Sequence, residues 1–184
     1  TQCGFLVTET RYREQLDAAP AHALGARLQV TDDASFAGTI ARFRDAQPGT
    51  PALDPGAPFC LIFTSGTSGA PKAVIYSHAR VLRNSAMLVE RQQMSRRDVS
   101  YVPMPLFHSS GLLMGLLPPL IAGGAAVLRR RFSASGFLAD VRRYGVTMFC
   151  YVGKPLAYIL ATPERADDAD NTLRAAFGSE ASDV

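Results

Sequence analysis

Cysteine is scarce in this chain. Cys3, Cys60 and Cys150 are the only three in 184 residues, and no C-x-x-C spacing occurs. That speaks against a disulfide framework and a zinc site; isolated thiols in odd number point to a reducing, cytoplasmic compartment. No residue is assigned as a metal ligand. A surplus of one charge is lacking too. The formal net charge is +3 and the basic residues are scattered, with one dense run at Arg129-Arg130-Arg131. Such a run reads as a solvated loop or strand end, so nucleic acid is not an expected partner. Repeats and low-complexity tracts are absent. So is a basic segment leading into an apolar run at the N-terminus, and no signal peptide is expected. The chain opens on Thr1 and stops at Val184, just after an expected strand and turn. Both ends read as cut, so a fragment of a longer protein is expected. What remains is a globular composition, 47% hydrophobic and 19% charged, long enough for one domain with a sizeable core.

Charge is missing altogether between Val99 and Leu128, and Arg129–Arg131 follows. That resembles a membrane span with a basic flank. Pro103, Pro105, Pro118, Pro119, Gly123 and Gly124 interrupt it, however, and a lipid-exposed helix would leave backbone groups unsatisfied there. The stretch is expected to fold as a strand, a loop, a short buried helix near Gly111–Ile121, a turn at Gly123-Gly124 and a buried strand.

Elsewhere short apolar runs alternate with helical spacing. Strands are expected at Gly4–Thr8, Arg27–Thr31, Phe59–Phe63, Ala73–Tyr76, Ser100–Met104, Ala125–Leu128, Val146–Val152 and Leu173–Phe177. Phe59–Phe63 is apolar throughout, as in a strand buried on both faces. Helices are expected around Glu9–Ala18, around Phe36–Phe43, after the N-cap Ser77, after Ser133 or Ser135, and at Pro155–Ala161. After Ser77, the residues Val81, Ser85, Leu88 and Gln92 share one stripe. Gln47–Pro58, with four prolines and two glycines, reads as a linker or surface loop. The alternation predicts a layered α/β fold with a largely parallel sheet.

The informative segment leaves the apolar strand at Phe63: Thr64-Ser65-Gly66-Thr67-Ser68-Gly69-Ala70-Pro71-Lys72. Glycines let backbone N–H groups approach an anion, hydroxyls add donors, and lysine adds a compact positive charge. Such a loop suits a polyphosphate, although polar Gly/Ser turns are common. It is not a Walker A loop, because Pro71 precedes Lys72 and Ala73 follows. Neither G-x-G-x-x-G nor G-x-S-x-G is present.

T-S-G-T-S-G-x-P-K resembles the phosphate-loop signature of the adenylate-forming superfamily, which includes acyl-CoA synthetases, luciferases and peptide-synthetase adenylation domains. Ser68 stands where that signature usually has Thr, which keeps the hydroxyl. Tyr101-Val102-Pro103-Met104-Pro105-Leu106-Phe107-His108 resembles the next block, which ends in an aromatic–His pair beside the acyl pocket. Phe132–Tyr144, Tyr151–Leu160, Asp167–Asp170 and Leu173–Gly178 resemble the fatty acid transport protein or very-long-chain acyl-CoA synthetase branch. The likeness is weak over residues 1–58. It places the phosphate loop at 64–72 and the acyl-pocket and adenine-wall segments within 101–184. The whole chain, 1–184, then reads as an incomplete N-terminal AMP-binding domain, without the C-terminal domain and its catalytic lysine.

The resemblance implies a fatty acid–CoA ligase using ATP, Mg2+ and coenzyme A: carboxylate plus ATP gives acyl-adenylate, then thioester. It implies Thr64, Ser65, Gly66, Thr67, Ser68, Gly69 and Lys72 as ATP-phosphate ligands, with Lys72 and His108 as catalytic candidates. A lone His between an apolar strand and an apolar helix is otherwise an ordinary packed residue. Gly178-Ser179-Glu180 has two registers in the family: the adenine wall, which the preceding L-R-x-x-x-G pattern favours, or a degenerate form of the later Y-G-x-T-E block. Two other readings stay open: a lipid-binding module without turnover, and an acyl-AMP ligase or carrier-loading adenylation domain. Peripheral membrane association, acyl chain length and oligomeric state are also open.

Overall fold

The computed structural model describes residues 5–17, 28–64 and 72–179. The chain divides into two compact units, 1–52 and 53–184. In the first, β1 (Leu6–Thr8) pairs in parallel with β2 (Leu28–Val30). A 3-10 turn (Thr10–Tyr12) and α1 (Arg13–Asp17) follow β1, and α2 (Ala34–Ala41) follows β2. Two neighbouring aspartates lock the turns. Asp32 Oδ1 accepts from Thr10 N at 2.8 Å, and Asp33 caps α2 by accepting from Ser35 N at 2.8 Å. The expected starts of both strands, Gly4 and Arg27, lie outside the described residues.

The second unit opens with a hairpin. β3 (Pro58–Thr64) and β4 (Lys72–Ser77) pair antiparallel from Cys60↔Tyr76 to Thr64↔Lys72, with a register shift between Pro58 and Cys60. The two expected strands are thus neighbours joined by the glycine-rich segment. Ser77 caps α3 (His78–Arg91), its side chain accepting from Arg80 N at 3.3 Å. The expected stripe holds: Val81 and Ser85 are buried, Leu88 and Gln92 half-buried. Ile62, Val81 and Leu113 form one small core. Only that face of β3 is covered among the described residues. Phe59, Leu61 and Phe63 are 41%, 41% and 56% exposed, unlike the strand buried on both faces that their unbroken apolar run implies.

The remainder is a parallel four-stranded sheet in the order β6-β5-β7-β8, from β5 (Val99–Val102), β6 (Ala125–Leu128), β7 (Met148–Val152) and β8 (Ala175–Ser179). The chain runs from β5 outward to β6, then returns past β5 to β7. A π-helical segment (Ser110–Leu116) and α4 (Leu117–Ile121) make the first crossover, α5 (Ala134–Tyr144) the second, and α6 (Pro155–Leu160) precedes β8. Ser133, one of the two expected caps, starts α5 by accepting from Gly136 N at 3.2 Å. Gly145 ends it in the left-handed region, φ 60°. The main core packs α5 on the sheet through Tyr101, Phe137, Val141, Val146 and Phe149, with the Tyr101 and Phe137 rings edge-on at 5.4 Å.

The uncharged stretch breaks where expected. α4 ends at Ile121, Gly123 takes φ 78°, and β6 starts at Ala125. No described helix is long and apolar enough to cross a membrane. Bounds and winding differ in places from sequence expectation: β5 ends at Val102 rather than Met104, and β7 begins at Met148 rather than Val146. The helix before Gly123 is π-wound over its first seven residues, and its last wide bond runs from Leu117 N–H to Leu112 O. Pro118 and Pro119 follow in the first turn of α4, where a missing N–H removes no bond within the helix. β8 begins two residues later than expected. Leu173 N donates to Asn171 Oδ1 at 2.9 Å, and this local turn holds Leu173 outside the ladder.

Candidate functional site

In a doubly wound sheet, ligands bind at the carboxyl ends of the strands, where the strand order reverses. Here the reversal falls at β5, with β6 and β7 on either side. The residues after β5 and β7 and at the end of β8 therefore share one edge. They include the 103–108 loop, Gly153-Lys154 and Gly178-Ser179. Gly153 N donates to Ser179 O at 2.9 Å, which ties two of these ends together.

His108 closes the loop after β5. Its N–H donates to Pro105 O at 3.0 Å, and its ring Nδ1 accepts from Ser110 N at 3.2 Å. The ring is exposed, and its neighbour Phe107 is 79% exposed. An apolar cavity of about 270 Å³ opens beside Phe107, between β3 (Cys60, Ile62, Phe63), the loop residue Leu106 and Leu112 of the π-helical segment. Of the expected aromatic–His pair, Phe107 lines this hollow.

Thr64 and Lys72 face each other across the mouth of the β3–β4 hairpin, and Thr64 Oγ1 donates to Lys72 O at 3.4 Å. Both are exposed, and Lys72 pairs with no carboxylate among the described residues. Ser65, Gly66, Thr67, Ser68 and Gly69, the rest of the expected phosphate ligands, lie outside the described residues, as does Glu180. Gly178 sits where a Cβ would come within 2.0 Å of Tyr151 O on β7, so only glycine fits this ladder position. Among the described residues no group of three His, Cys, Asp or Glu side chains is placed to hold a metal.

Two polar clusters lie away from these residues. At the opposite edge Asp98 accepts from Arg174 Nε and Thr147 Oγ1, each at 2.8 Å, and from Ser95 N at 2.7 Å. Arg174, then the Thr147 and Ser95 hydrogen bonds, hold its carboxyl well below the usual carboxylate range against the pull of burial. Beneath α5, Tyr101 OH donates to Asp140 Oδ2 at 2.9 Å, and Arg129 Nε meets the same oxygen at 3.0 Å. Burial first, then the Asp140 bond, pushes the Tyr101 hydroxyl up to about 12. Both clusters brace the sheet. Sequence reasoning passed over the Ser110 backbone N–H that holds the His108 ring, because a backbone donor has no side-chain signature.

Hairpin, switch-point loop and parallel sheet define an α/β protein with a largely parallel sheet. A family model described as "AMP-binding enzyme" matches residues 1–183. The chain is 49% identical over 178 residues to the medium/long-chain-fatty-acid–CoA ligase FadD17 of Mycobacterium marinum, covering 97% of this chain and 34% of that protein. It is 44% identical over 182 residues to steroid-22-oyl-CoA synthetase of Rhodococcus jostii, covering 98% and 33%. Human long-chain fatty acid transport protein 5 is 39% identical over 164 residues, covering 89% and 21%. ATP-bound MatB from Rhodopseudomonas palustris superposes with a TM-score of 0.81 at 21% identity over 95% of this chain and 35% of that one. The chain belongs to the AMP-binding enzyme family. It spans about a third of the length of FadD17 and the steroid synthetase.

Proposed function

We propose that this chain is the phosphate-loop part of the large N-terminal domain of an ATP-dependent fatty acid–CoA ligase. The activity belongs to a longer polypeptide whose further segments carry the ribose block, the magnesium block and the C-terminal lysine. The observation that carries this reading is the loop T-S-G-T-S-G-A-P-K, placed at the mouth of a hairpin whose two ends, Thr64 and Lys72, face each other. Family membership and relatives with fatty-acid–CoA ligase names support it.

In the first step a carboxylate oxygen attacks the α-phosphorus of ATP. The bond from that phosphorus to the β-phosphate bridging oxygen breaks, giving acyl-adenylate and pyrophosphate. Negative charge grows on the leaving pyrophosphate, and preorganised donors stabilise it where water is excluded. Thr64, Ser65, Thr67 and Ser68 supply hydroxyl or backbone donors, Gly66 and Gly69 allow close approach, and Lys72 adds the cation. Mg2+ would neutralise further phosphate charge, and no described residue is assigned to it. In the second step the coenzyme A thiol attacks the acyl carbon and AMP leaves. The acyl chain takes the hollow beside Phe63, Leu106 and Phe107. Gly178-Ser179-Glu180 form the adenine wall. We place the protein in the cytoplasm, with peripheral contact to a membrane that supplies the acid.

The 44% identity to a steroid-22-oyl-CoA synthetase keeps a second substrate reading, a steroid side-chain acid. The test is acid-dependent pyrophosphate and AMP release by the full-length protein. Straight-chain acids of graded length and a steroid side-chain acid are each supplied with coenzyme A or with a phosphopantetheinyl carrier protein. Thioester formation on coenzyme A with a straight-chain acid is expected. Turnover only with the carrier, or fatty-acid binding with no ATP consumption, would contradict the proposal.

A further inference from the structure

The helix α3 turns Val81, Ser85, Leu88 and Gln92 inward, and its spacing leaves Arg80, Arg83, Met87 and Arg91 on the solvent side. All four are exposed, Met87 at 59%. The turn that follows adds Arg96 and Arg97, also exposed. From His78 to Asp98 the chain thus holds five arginines against two carboxylates, Glu90 and Asp98. Asp98 is buried and bound to Arg174, which leaves Glu90 as the outward acid of the stretch. Arg80 lies over the Tyr76 ring at 5.0 Å. Arg83, Arg91, Arg96 and Arg97 form no ion pair among the described residues. The end of α4 meets the same turn. A Cβ on Gly123 would stand 3.6 Å from Arg96 Cβ, and one on Gly124 would stand 3.1 Å from Ser95 O. Leu120 and Ile121, 50% and 44% exposed, close α4 just before these glycines and so lie by the arginine turn.

We propose that this face docks the protein on an anionic lipid surface. It gives the peripheral membrane contact named above its residues. The membrane as source of the acid rests on the ligase reading; the docking itself does not. Lipid phosphates suit the guanidiniums, whose forked N–H donors match phosphate oxygens. The boundary between headgroups and acyl chains takes Met87, Leu120 and Ile121, with the apolar stems of the arginines lying along it. A lipid surface meets both kinds of group at once, whereas an acidic protein surface answers the charges alone. Arg96 and Arg97 stand just before β5, so the face borders the edge where the strands of the parallel sheet begin. Docking there leaves the carboxyl ends of the strands open to ligands. Arg130 and Arg131, equally exposed, follow β6 at that other edge and serve as the comparison.

The test is vesicle sedimentation with the full-length protein. Vesicles of phosphatidylcholine are compared with vesicles of phosphatidylcholine and phosphatidylglycerol in equal parts. The parent should bind the mixed vesicles at least about tenfold more tightly, and raised salt should release it. Arg83→Gln combined with Arg96→Gln and Arg97→Gln should weaken that binding about 10²-fold, from roughly fivefold for each arginine at an anionic surface. Met87→Gln with Leu120→Gln should weaken it about fivefold, through lost apolar contact. Arg130→Gln with Arg131→Gln should bind within about twofold of the parent, since charges away from the contact are screened. Urea unfolding of each variant at the parent midpoint separates docking from folding. Parent-like binding by the triple variant, or an equal loss in the Arg130 and Arg131 variant, overturns the proposal. Parent-like binding by the Met87 and Leu120 variant overturns the seating of the apolar side chains. A parent that ignores the mixed vesicles also overturns the proposal, and its capture on polyglutamate beads would give the face to an acidic protein instead. Binding needs no turnover, so a protein that docks yet releases no pyrophosphate sinks the ligase reading alone.

Discussion

Removing the charge of Asp98 but keeping its shape, by Asp98→Asn, should destabilise the chain by about 3 kcal/mol. Asp98 is 5% exposed and accepts four hydrogen bonds. Oδ1 takes Arg174 Nε and Thr147 Oγ1; Oδ2 takes Ser95 N and Ser95 Oγ, the last at 3.1 Å. Thr147 Oγ1 accepts in turn from Val99 N, and Arg174 also reaches the carbonyls of Gln92 and Gln93. The cluster therefore joins the end of α3 to the starts of β5, β7 and β8. Asparagine can keep its carbonyl oxygen towards Arg174 and Thr147, but its amide then faces the Ser95 N–H, donor against donor. Losing that charge-assisted bond costs about 1.5–3 kcal/mol. The weakened Arg174 pair adds no more than about 1 kcal/mol, because the arginine side chain is 39% exposed and water screens it. A folded carboxyl held below its unfolded value stabilises fully above the unfolded pKa, near 3.9. That stabilisation is lost as pH falls through this value towards the folded one. Urea unfolding at pH 7 and at steps down to pH 2 measures both effects. The variant should unfold at lower urea with unchanged slope at pH 7, and the gap to the parent should narrow below about pH 4. A cost under about 1 kcal/mol, or a gap that stays constant with pH, would refute the buried-hub reasoning.

Gly111→Ala should cost about 1–3 kcal/mol in the same assay, because the added methyl meets backbone that cannot step aside. Gly38→Ala, in α2 with nothing within 4 Å of the new methyl, should instead raise helix stability by about 0.5–1 kcal/mol. Iodoacetamide at pH 8 should spare Cys150 in the folded chain and modify it in denaturant, since burial pushes that thiol up to about 12; mass spectrometry of the digested chain reads this. Tyr101→Phe should cost about 1 kcal/mol at neutral pH for the lost Asp140 bond. The Tyr101 hydroxyl is raised to about 12 from an unfolded value near 10, so its stabilisation is full below pH 10 and fades as pH rises towards 12. Urea unfolding across that range should show the parent–variant gap closing.

What was legible in the sequence was what depends on near neighbours. Ser77 and Ser133 were readable as caps because capping is decided within three residues. The Val81–Ser85 stripe follows from helical spacing, and the break at Gly123 from glycine's access to positive φ. What was hidden depends on partners far along the chain, or on local features that apolar spacing does not register. The unbroken apolar run of β3 resembles a strand buried on both faces, yet α3 and the π-helical segment cover one of them. The π winding is not visible in apolar spacing; only the backbone hydrogen bonds show it. For the site, the make-up of the 64–72 loop drew attention to Lys72, and the family resemblance to His108. That the His108 ring accepts from the Ser110 N–H needs coordinates, because nothing in residue spacing signals it.

The central claim is that residues 64–72 grip the phosphates that leave, not the acid that attacks. Lys72→Ala combined with Thr67→Ala in the full-length protein tests it, with pyrophosphate release from Mg-ATP and fatty acid measured beside fatty-acid binding. Only interactions stronger in the transition state than in the ground state speed the chemical step. The double variant should therefore release pyrophosphate about 10²–10³-fold more slowly and bind fatty acid as the parent does. Release at the parent rate would make the segment a structural turn and contradict the account.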